Sequence, residues 1–213
     1  MENILYKKND DLIISYITLR RAIGILGMAA PFILYLGTRL LSCETHVQCS
    51  ISDYYYTCMG DVFVGILCSF AFFLFSYKGP KKIDGILASC ASVFALGVAF
   101  FPTEEDTIQG KAHLLCAALF FVILTIFSLF LFTKTGGTRK QQTPEKKKRN
   151  TVFVFCGIVM FLCILGILSY FLWFEENHPC SADTHPVFWF ESTALFFFGI
   201  SWITKGELLL KDK

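Results

Sequence analysis

The chain has 213 residues, 54% of them apolar and 24 of them Phe, and its formal net charge is +2. An ordinary soluble domain of this length is excluded, because nearly every helix would have to be apolar on all faces. The small net charge averages a basic face and an acidic one, so only the distribution of charge along the chain is informative.

Residues 1–21 form an amphipathic N-terminus around Leu12-Ile13-Ile14-Ser15-Tyr16-Ile17, expected to be cytoplasmic and to lie as a short helix in the membrane interface. Six apolar runs follow, at about 22–41, 61–77, 83–101, 112–133, 151–173 and 187–204. Each has about 17 to 23 residues, the length that crosses roughly 30 Å of hydrocarbon at 1.5 Å per residue. The sequence therefore predicts an all-α polytopic membrane protein, with residues 22–204 forming a six-transmembrane-helix bundle. No small-residue cleavage site follows the first run, which reads as an uncleaved anchor.

The connections alternate in character. Residues 42–60 make the largest external loop, the segment around Gly79-Pro80 is a tight turn, and Pro102 to Lys111 is a short acidic loop. Residues 134–150 read as a flexible basic linker and 205–213 as a tail. Seventeen of the nineteen Lys and Arg residues fall on one side of this layout; Arg39 and Lys111 are the exceptions. Cytoplasmic loops carry such an excess because basic residues resist translocation, so both termini are expected in the cytoplasm of a plasma (inner) membrane. The run Lys146–Arg149 faces anionic lipid on this reading, and nucleic acid is not an expected partner. Phe120, Phe121, Phe127, Phe130 and Phe132 suggest a lipid-facing fourth helix, while Gly24, Gly27, Ala88, Ser92, Gly157 and Gly166 mark close helix approaches.

Ionisable groups in or at the edge of a bilayer are costly, so each needs a reason. Asp84 sits at the mouth of the third run, three residues after Lys81, and a helix-terminal or salt-bridging role accounts for it. Asp61, His113 and Glu191 all fall near the starts of helices that begin at the outer surface. Together they could hold a divalent metal such as zinc, or act as acid and base. Alternatively each serves its own helix terminus, which fits Asp61 well, Glu191 less well and His113 poorly. The segment Ser52-Asp53-Tyr54-Tyr55-Tyr56 supplies hydroxyls and a carboxylate for a polar head group, although interfacial anchoring is the simpler use of three tyrosines.

Cys43, Cys49, Cys58 and Cys180 all map to the external side, with His46, His178 and His185. Zinc spacing is not matched, and disulfides are the simpler account. Four cysteines allow three pairings, and a bridge from the first external loop to Cys180 would tie that loop over the bundle. Ser201, in Gly199-Ile200-Ser201, lies deep in the sixth run with every histidine at the far end, so no general base serves it.

Ser50-Ile51-Ser52 with Tyr54–Thr57, Asp61-Val62-Phe63-Val64-Gly65, Tyr77-Lys78-Gly79, Phe101-Pro102-Thr103 and His113 with Ala117–Phe121 together resemble a group of small, uncharacterised bacterial six-helix integral membrane proteins. In layout the chain is also similar to the DRAM/Sfk-like families. That resemblance covers residues 20–133 best and implies a lipid-associated membrane protein and no reaction. A more distant likeness to seven-helix ceramidase and adiponectin-receptor hydrolases lies in Ser, Asp and His near one membrane face. This chain lacks the paired histidines of their last helix.

The leading reading is a non-catalytic membrane protein that binds lipid or a protein partner, or a second copy, through its outward polar cluster. The alternatives are an outward-facing metal-dependent lipid hydrolase using His113, Asp61 and Glu191, and a small channel or transporter lined by Glu191.

Overall fold

In the computed structural model the chain is all-helical. The structure describes residues 2–104, 107–134, 143–174, 180 and 184–210, with side chains from residue 16 onward. Glu105, Asp106, Glu175, Glu176, His178, Asp183 and residues 135–142 of the expected 134–150 linker lie outside that set.

Six helices follow one another: α1 (Glu2–Leu40), α2 (Gly60–Phe75), α3 (Lys82–Phe100), α4 (Ile108–Ile126), α5 (Pro144–Ser169) and α6 (Pro186–Lys205). Looser π turns extend α4 through Phe127–Leu131 and α5 through Tyr170–Phe174. Five of the helices are long and apolar enough to cross a membrane, α1 through its portion Tyr16–Leu40. The sixth, α2, is an apolar helix of 16 residues and would span about 24 Å at 1.5 Å per residue. Phe72, Phe75, Val93, Leu115, Phe155, Leu162 and Trp173 point outward and are exposed. Such an apolar exterior is stable only where the solvent is hydrocarbon, which makes this an integral membrane protein.

Local chemistry moves three helix starts away from their sequence-based positions. The expected interfacial helix and first span are a single helix, α1, with Pro31 inside it. α4 starts at Ile108 rather than 112, because Thr107 Oγ1 accepts the Gly110 N–H at 2.9 Å and caps the helix. α5 starts at Pro144 rather than 151. Thr143 Oγ1 accepts the Lys146 N–H at 3.2 Å, Pro144 occupies the first turn, and Glu145 meets the positive end of the helix. The end of the expected flexible linker, with Lys146–Arg149, is therefore helix.

The helices form a ring in chain order, each packed on its neighbours, and α6 closes the ring against α1. Gly24 and Gly199 allow that closure. A Cβ on Gly24 would lie 2.8 Å from the Gly199 carbonyl oxygen, and one on Gly199 would lie 2.5 Å from the Gly24 oxygen. In lipid, where burial gives no drive for helices to associate, such close backbone approach supplies the packing energy. α3 turns a row of small residues inward, with Ala88, Ala91, Ala95 and Ala99 fully buried.

Aromatic rings fill the ring's middle. Trp202 packs at centroid distances of 5.0 Å from Tyr77, 5.1 Å from Phe132 and 5.6 Å from Phe127. Phe198 joins it to Phe70 and, through Phe70, to Phe120. Phe120, Phe127 and Phe132 are thus core residues and not lipid-facing; of the five phenylalanines expected outside, Phe130 is the one that is well exposed. Beside them Ser201 Oγ and Ser128 Oγ lie 2.8 Å apart, and Ser128 donates to the Phe153 carbonyl. That chain of bonds joins α6, α4 and α5. It also occupies the Ser201 hydroxyl, since Ser128 has one hydrogen and has spent it on Phe153.

The two ends of the bundle differ in charge. At one end Arg21 Nε donates to the Gly206 carbonyl at 2.9 Å, Tyr16 donates to the Lys78 carbonyl, and Lys134 pairs with buried Asp84 at 3.2 Å. Asp84 Oδ2 also accepts the Lys81 N–H, so it holds its helix start and an ion pair together. The α2–α3 turn, the Tyr16–Arg21 part of α1 and the exit of α6 therefore share this basic end. At the opposite end lie two disulfides, Cys43–Cys58 and Cys49–Cys180.

Candidate functional site

The loop after α1 folds back over the disulfide-bearing end as a short 3-10 turn, Ser52–Tyr56. Three ties fasten it to the start of α6. Cys49 is bonded to Cys180, the Cys49 carbonyl accepts the Phe188 N–H at 2.9 Å, and Glu191 Oε2 accepts the Ile51 N–H at 2.7 Å. The second tie satisfies an α6 first-turn donor that no helix carbonyl can reach. The third explains a buried carboxylate: Glu191, 8% exposed, receives a backbone N–H in return. Cys43–Cys58 ties the loop's start to the residues before α2.

Within the loop, Asp53 makes its own turn. Its Oδ2 accepts the Ser50 N–H at 2.9 Å, and its N–H donates to Ser50 Oγ at 3.2 Å. Thr103, from the α3–α4 connection, donates to the other Asp53 oxygen at 3.5 Å. Asp53 is also the charged neighbour of both His113 and Glu191. His113 is buried on α4, its Nδ1 2.8 Å from the Phe101 carbonyl, which holds the ring as an Nδ1–H donor and leaves Nε2 as the acceptor nitrogen.

The three candidates for one polar site are used separately. Glu191 holds the loop and His113 holds the end of α3. Asp61 is exposed on the first turn of α2, where the helix dipole favours it. Their donor atoms do not form a group within 4.8 Å of one another. Among the described residues that spacing is met by Cys49, Cys180 and His185, and there both sulfurs are consumed by the one Cys49–Cys180 disulfide. A disulfide sulfur is not the thiolate a zinc ion binds. His46 is exposed on the first loop.

The tyrosines divide. Tyr54 is fully buried with its ring 6.0 Å from Phe188, and burial pushes its phenol pKa up. Tyr55 packs edge-on against Phe63, and Tyr56 is the exposed member that suits an interfacial belt. Tyr54 is thus a core residue of the roof and not an interfacial anchor.

Beneath this roof, inside the helix ring, is a cavity of ≈ 40 Å³. Fourteen residues from α1, α2, α3, α4, α6 and the loop line it, and only Ser52 and Glu191 among them are polar. Leu34, Phe63, Leu67 and Phe120 make much of its wall. Sequence reasoning found both polar members but not the cavity, because its walls come from five helices. The aromatic layer around Phe70, Phe198 and Trp202 closes the ring below. No protein-family model matches the chain, and neither does any curated protein or solved structure.

Proposed function

We propose that this is a non-catalytic integral membrane protein that binds an amphiphile at its disulfide-tied end, with that end facing an oxidising compartment. The observation that carries the reading is the cavity: an almost wholly apolar chamber whose lining residues include one carboxyl group, Glu191, and one hydroxyl, Ser52. Chambers of that composition suit a ligand with a hydrocarbon tail and a small polar head. At ≈ 40 Å³ the chamber takes the end of a tail, since about 15 Å³ holds a single water. Glu191 accepts hydrogen bonds when ionised and has a second oxygen besides the one given to Ile51, so an amine or hydroxyl head suits it better than a carboxylate. Disulfides persist in oxidising compartments, and the connections that carry seventeen of the nineteen Lys and Arg in the sequence are those expected in the cytoplasm, on the side away from the disulfides. The two signals agree on orientation.

The test is binding of dodecylamine, dodecanol and dodecanoate to the purified protein, alongside Leu67→Trp, which fills the chamber. The expected order is amine and alcohol at least tenfold tighter than the acid, with binding lost in Leu67→Trp. Equal binding by the wild type and the filled variant would end the proposal.

A further inference from the structure

The chamber under the roof is sealed on most sides and thinly closed on one. Twelve of its fourteen lining residues are buried, and the two half-buried ones are Ala117 and Phe121, one turn apart on α4. The roof members Ile51 and Ser52 are among the buried ones, so the loop offers no way in. At ≈ 40 Å³, about three waters at roughly 15 Å³ each, the chamber holds only part of an amphiphile. Most of a ligand's chain therefore has to lie outside it, and Ala117 and Phe121 mark the side on which it leaves.

Burial along α4 and α5 marks the same side. On α4 the positions Leu114, Ala118, Phe121, Thr125 and Ser128 follow steps of three and four residues and so share one face. Toward the basic end that face is covered. Thr125 and Ser128 are buried, Ser128 donates to the Phe153 carbonyl at 2.8 Å, and Phe132 packs on the Phe153 ring at 5.4 Å. Toward the disulfide-tied end it is open: Phe121 is half-buried, Ala118 exposed and Leu114 53% exposed. The facing stripe of α5 changes in the same direction. Gly157 is buried, and a Cβ on it would lie 2.4 Å from the Leu129 side chain. Phe161 and Leu168, one and three turns further along, are 49% and 51% exposed. In that half α5 leans on α6 instead, where a Cβ on Gly166 would lie 2.7 Å from the Phe190 ring. The two helices are joined at the basic end and splay toward the other, leaving a cleft with apolar walls.

We propose that this cleft is a lateral portal, through which a lipid of the leaflet at the disulfide-tied end lays its hydrocarbon chain into the chamber. The proposal rests on the amphiphile reading above and adds the source of the ligand, the bilayer and not the water phase. Three observations commit the cleft to a lipid chain. It opens sideways between membrane-spanning helices, where the solvent is hydrocarbon. Leu114, Ala118, Phe121, Phe161 and Leu168 give its walls no charge and no hydrogen-bonding side chain. It is also continuous with the chamber, because Phe121 belongs to both. An aqueous route would have to pass the roof, which the Cys49–Cys180 bridge and the Glu191–Ile51 bond hold in place. Moving a chain from bilayer to cleft exchanges one hydrocarbon environment for another, so selectivity is left to the polar group that meets Glu191.

The full-length protein is reconstituted in phosphatidylcholine vesicles with octadecylamine carrying a photoactivatable diazirine at mid-chain, and cross-links are mapped by mass spectrometry. They should concentrate on residues 114–121 of α4 and 161–168 of α5, be competed by excess dodecylamine and be absent in Leu67→Trp. Ala118→Trp narrows the cleft outside the chamber lining and should lower dodecylamine affinity at least tenfold. Leu115→Trp, on the neighbouring exposed face, should leave it unchanged. Equal effects of these two variants, or cross-links undiminished in Leu67→Trp, would overturn the portal. A wild-type dimer that Ala118→Trp dissociates with amine binding intact would give the cleft to a second copy and overturn it too. Should Ala118→Trp fail to fold, the cross-link map of the wild type and Leu67→Trp still decides. Dodecylamine binding lost in Leu67→Trp but unaffected by Ala118→Trp ends the portal and leaves the chamber, whereas equal binding by the wild type and Leu67→Trp ends both.

Discussion

Glu191 is the residue on which the disulfide-tied end turns. A carboxylate inside an apolar ring is tolerated because it accepts the Ile51 N–H, so the two groups satisfy each other. Glu191→Ala should lower stability by about 1–3 kcal/mol, since it leaves a buried N–H without an acceptor. Glu191→Gln keeps an acceptor oxygen and should cost clearly less; thermal unfolding in detergent ranks the pair. Equal losses would mean that the charge, and not the bond to Ile51, holds the loop. His113 has a comparable role at the Phe101 carbonyl, and the metal-dependent alternative separates from it by elemental analysis. A binding module shows the same metal content in the wild type and His113→Ala. A stoichiometric metal lost in His113→Ala would reinstate the hydrolase reading. Deeper in the bundle, Ser201→Ala removes one of two bonds to Ser128 and should cost about 0.6 kcal/mol, the usual scale for a polar contact between membrane helices.

Helices α1 and α6 meet through glycines, and the first loop is bonded covalently to Cys180, ahead of α6; both contacts are sensitive to small changes. Gly199→Val should separate α1 from α6, because a Cβ there lies 2.5 Å from the Gly24 oxygen and 3.0 Å from the Met28 nitrogen, and neither backbone atom can rotate away. Loss of the folded monomer in size-exclusion chromatography is the expected readout. Cys180→Ser opens a bridge between residues 131 apart and should cost about 2–5 kcal/mol. It should leave the loop in place at low temperature, held by Phe188 N–H and Glu191. Cys180→Ser combined with Glu191→Ala should therefore release the loop where neither change alone does, which limited proteolysis within residues 43–58 would detect. These contacts explain which parts of the elements could be read in advance. The spans were visible as apolar runs, and Gly24 and Asp84 were visible as exceptions to them. The starts of α4 and α5 were missed because Thr107 and Thr143-Pro144-Glu145 are capping signals set among residues whose polarity alone suggested loop.

The whole molecule is a ring with two chambers, apolar at the disulfide-tied end and lined largely by charged side chains at the other, separated by packed aromatic rings. Trp202 is the centre of that separation, fully buried among Tyr77, Phe127, Phe132 and Phe198. Trp202→Ala should destabilise the fold by about 3–5 kcal/mol. The orientation of the ring has its own check. After mild reduction, an impermeant thiol reagent should label exposed Cys43 and Cys58 from outside intact cells. Labelling only after permeabilisation would place the disulfide-tied end in another compartment or reverse the topology.

The sequence by itself determined the class of solvent, the number and approximate positions of the helices, and the division of the chain into basic and acidic connections. Those properties are additive along the chain: hydropathy summed over a span and charge summed over a loop need no knowledge of neighbours. The tertiary structure decided what depends on which helices face one another. It pairs Cys49 with Cys180, gives Glu191 to Ile51 instead of His113, and turns Phe120, Phe127 and Phe132 from lipid contacts into core. It also places Arg20, Lys146, Arg149 and Lys205, from three distant segments, around one cavity. An apolar face looks the same in sequence whether it meets lipid or another helix, since both environments are equally dry. Only the closure of α6 on α1 settles which faces are inside.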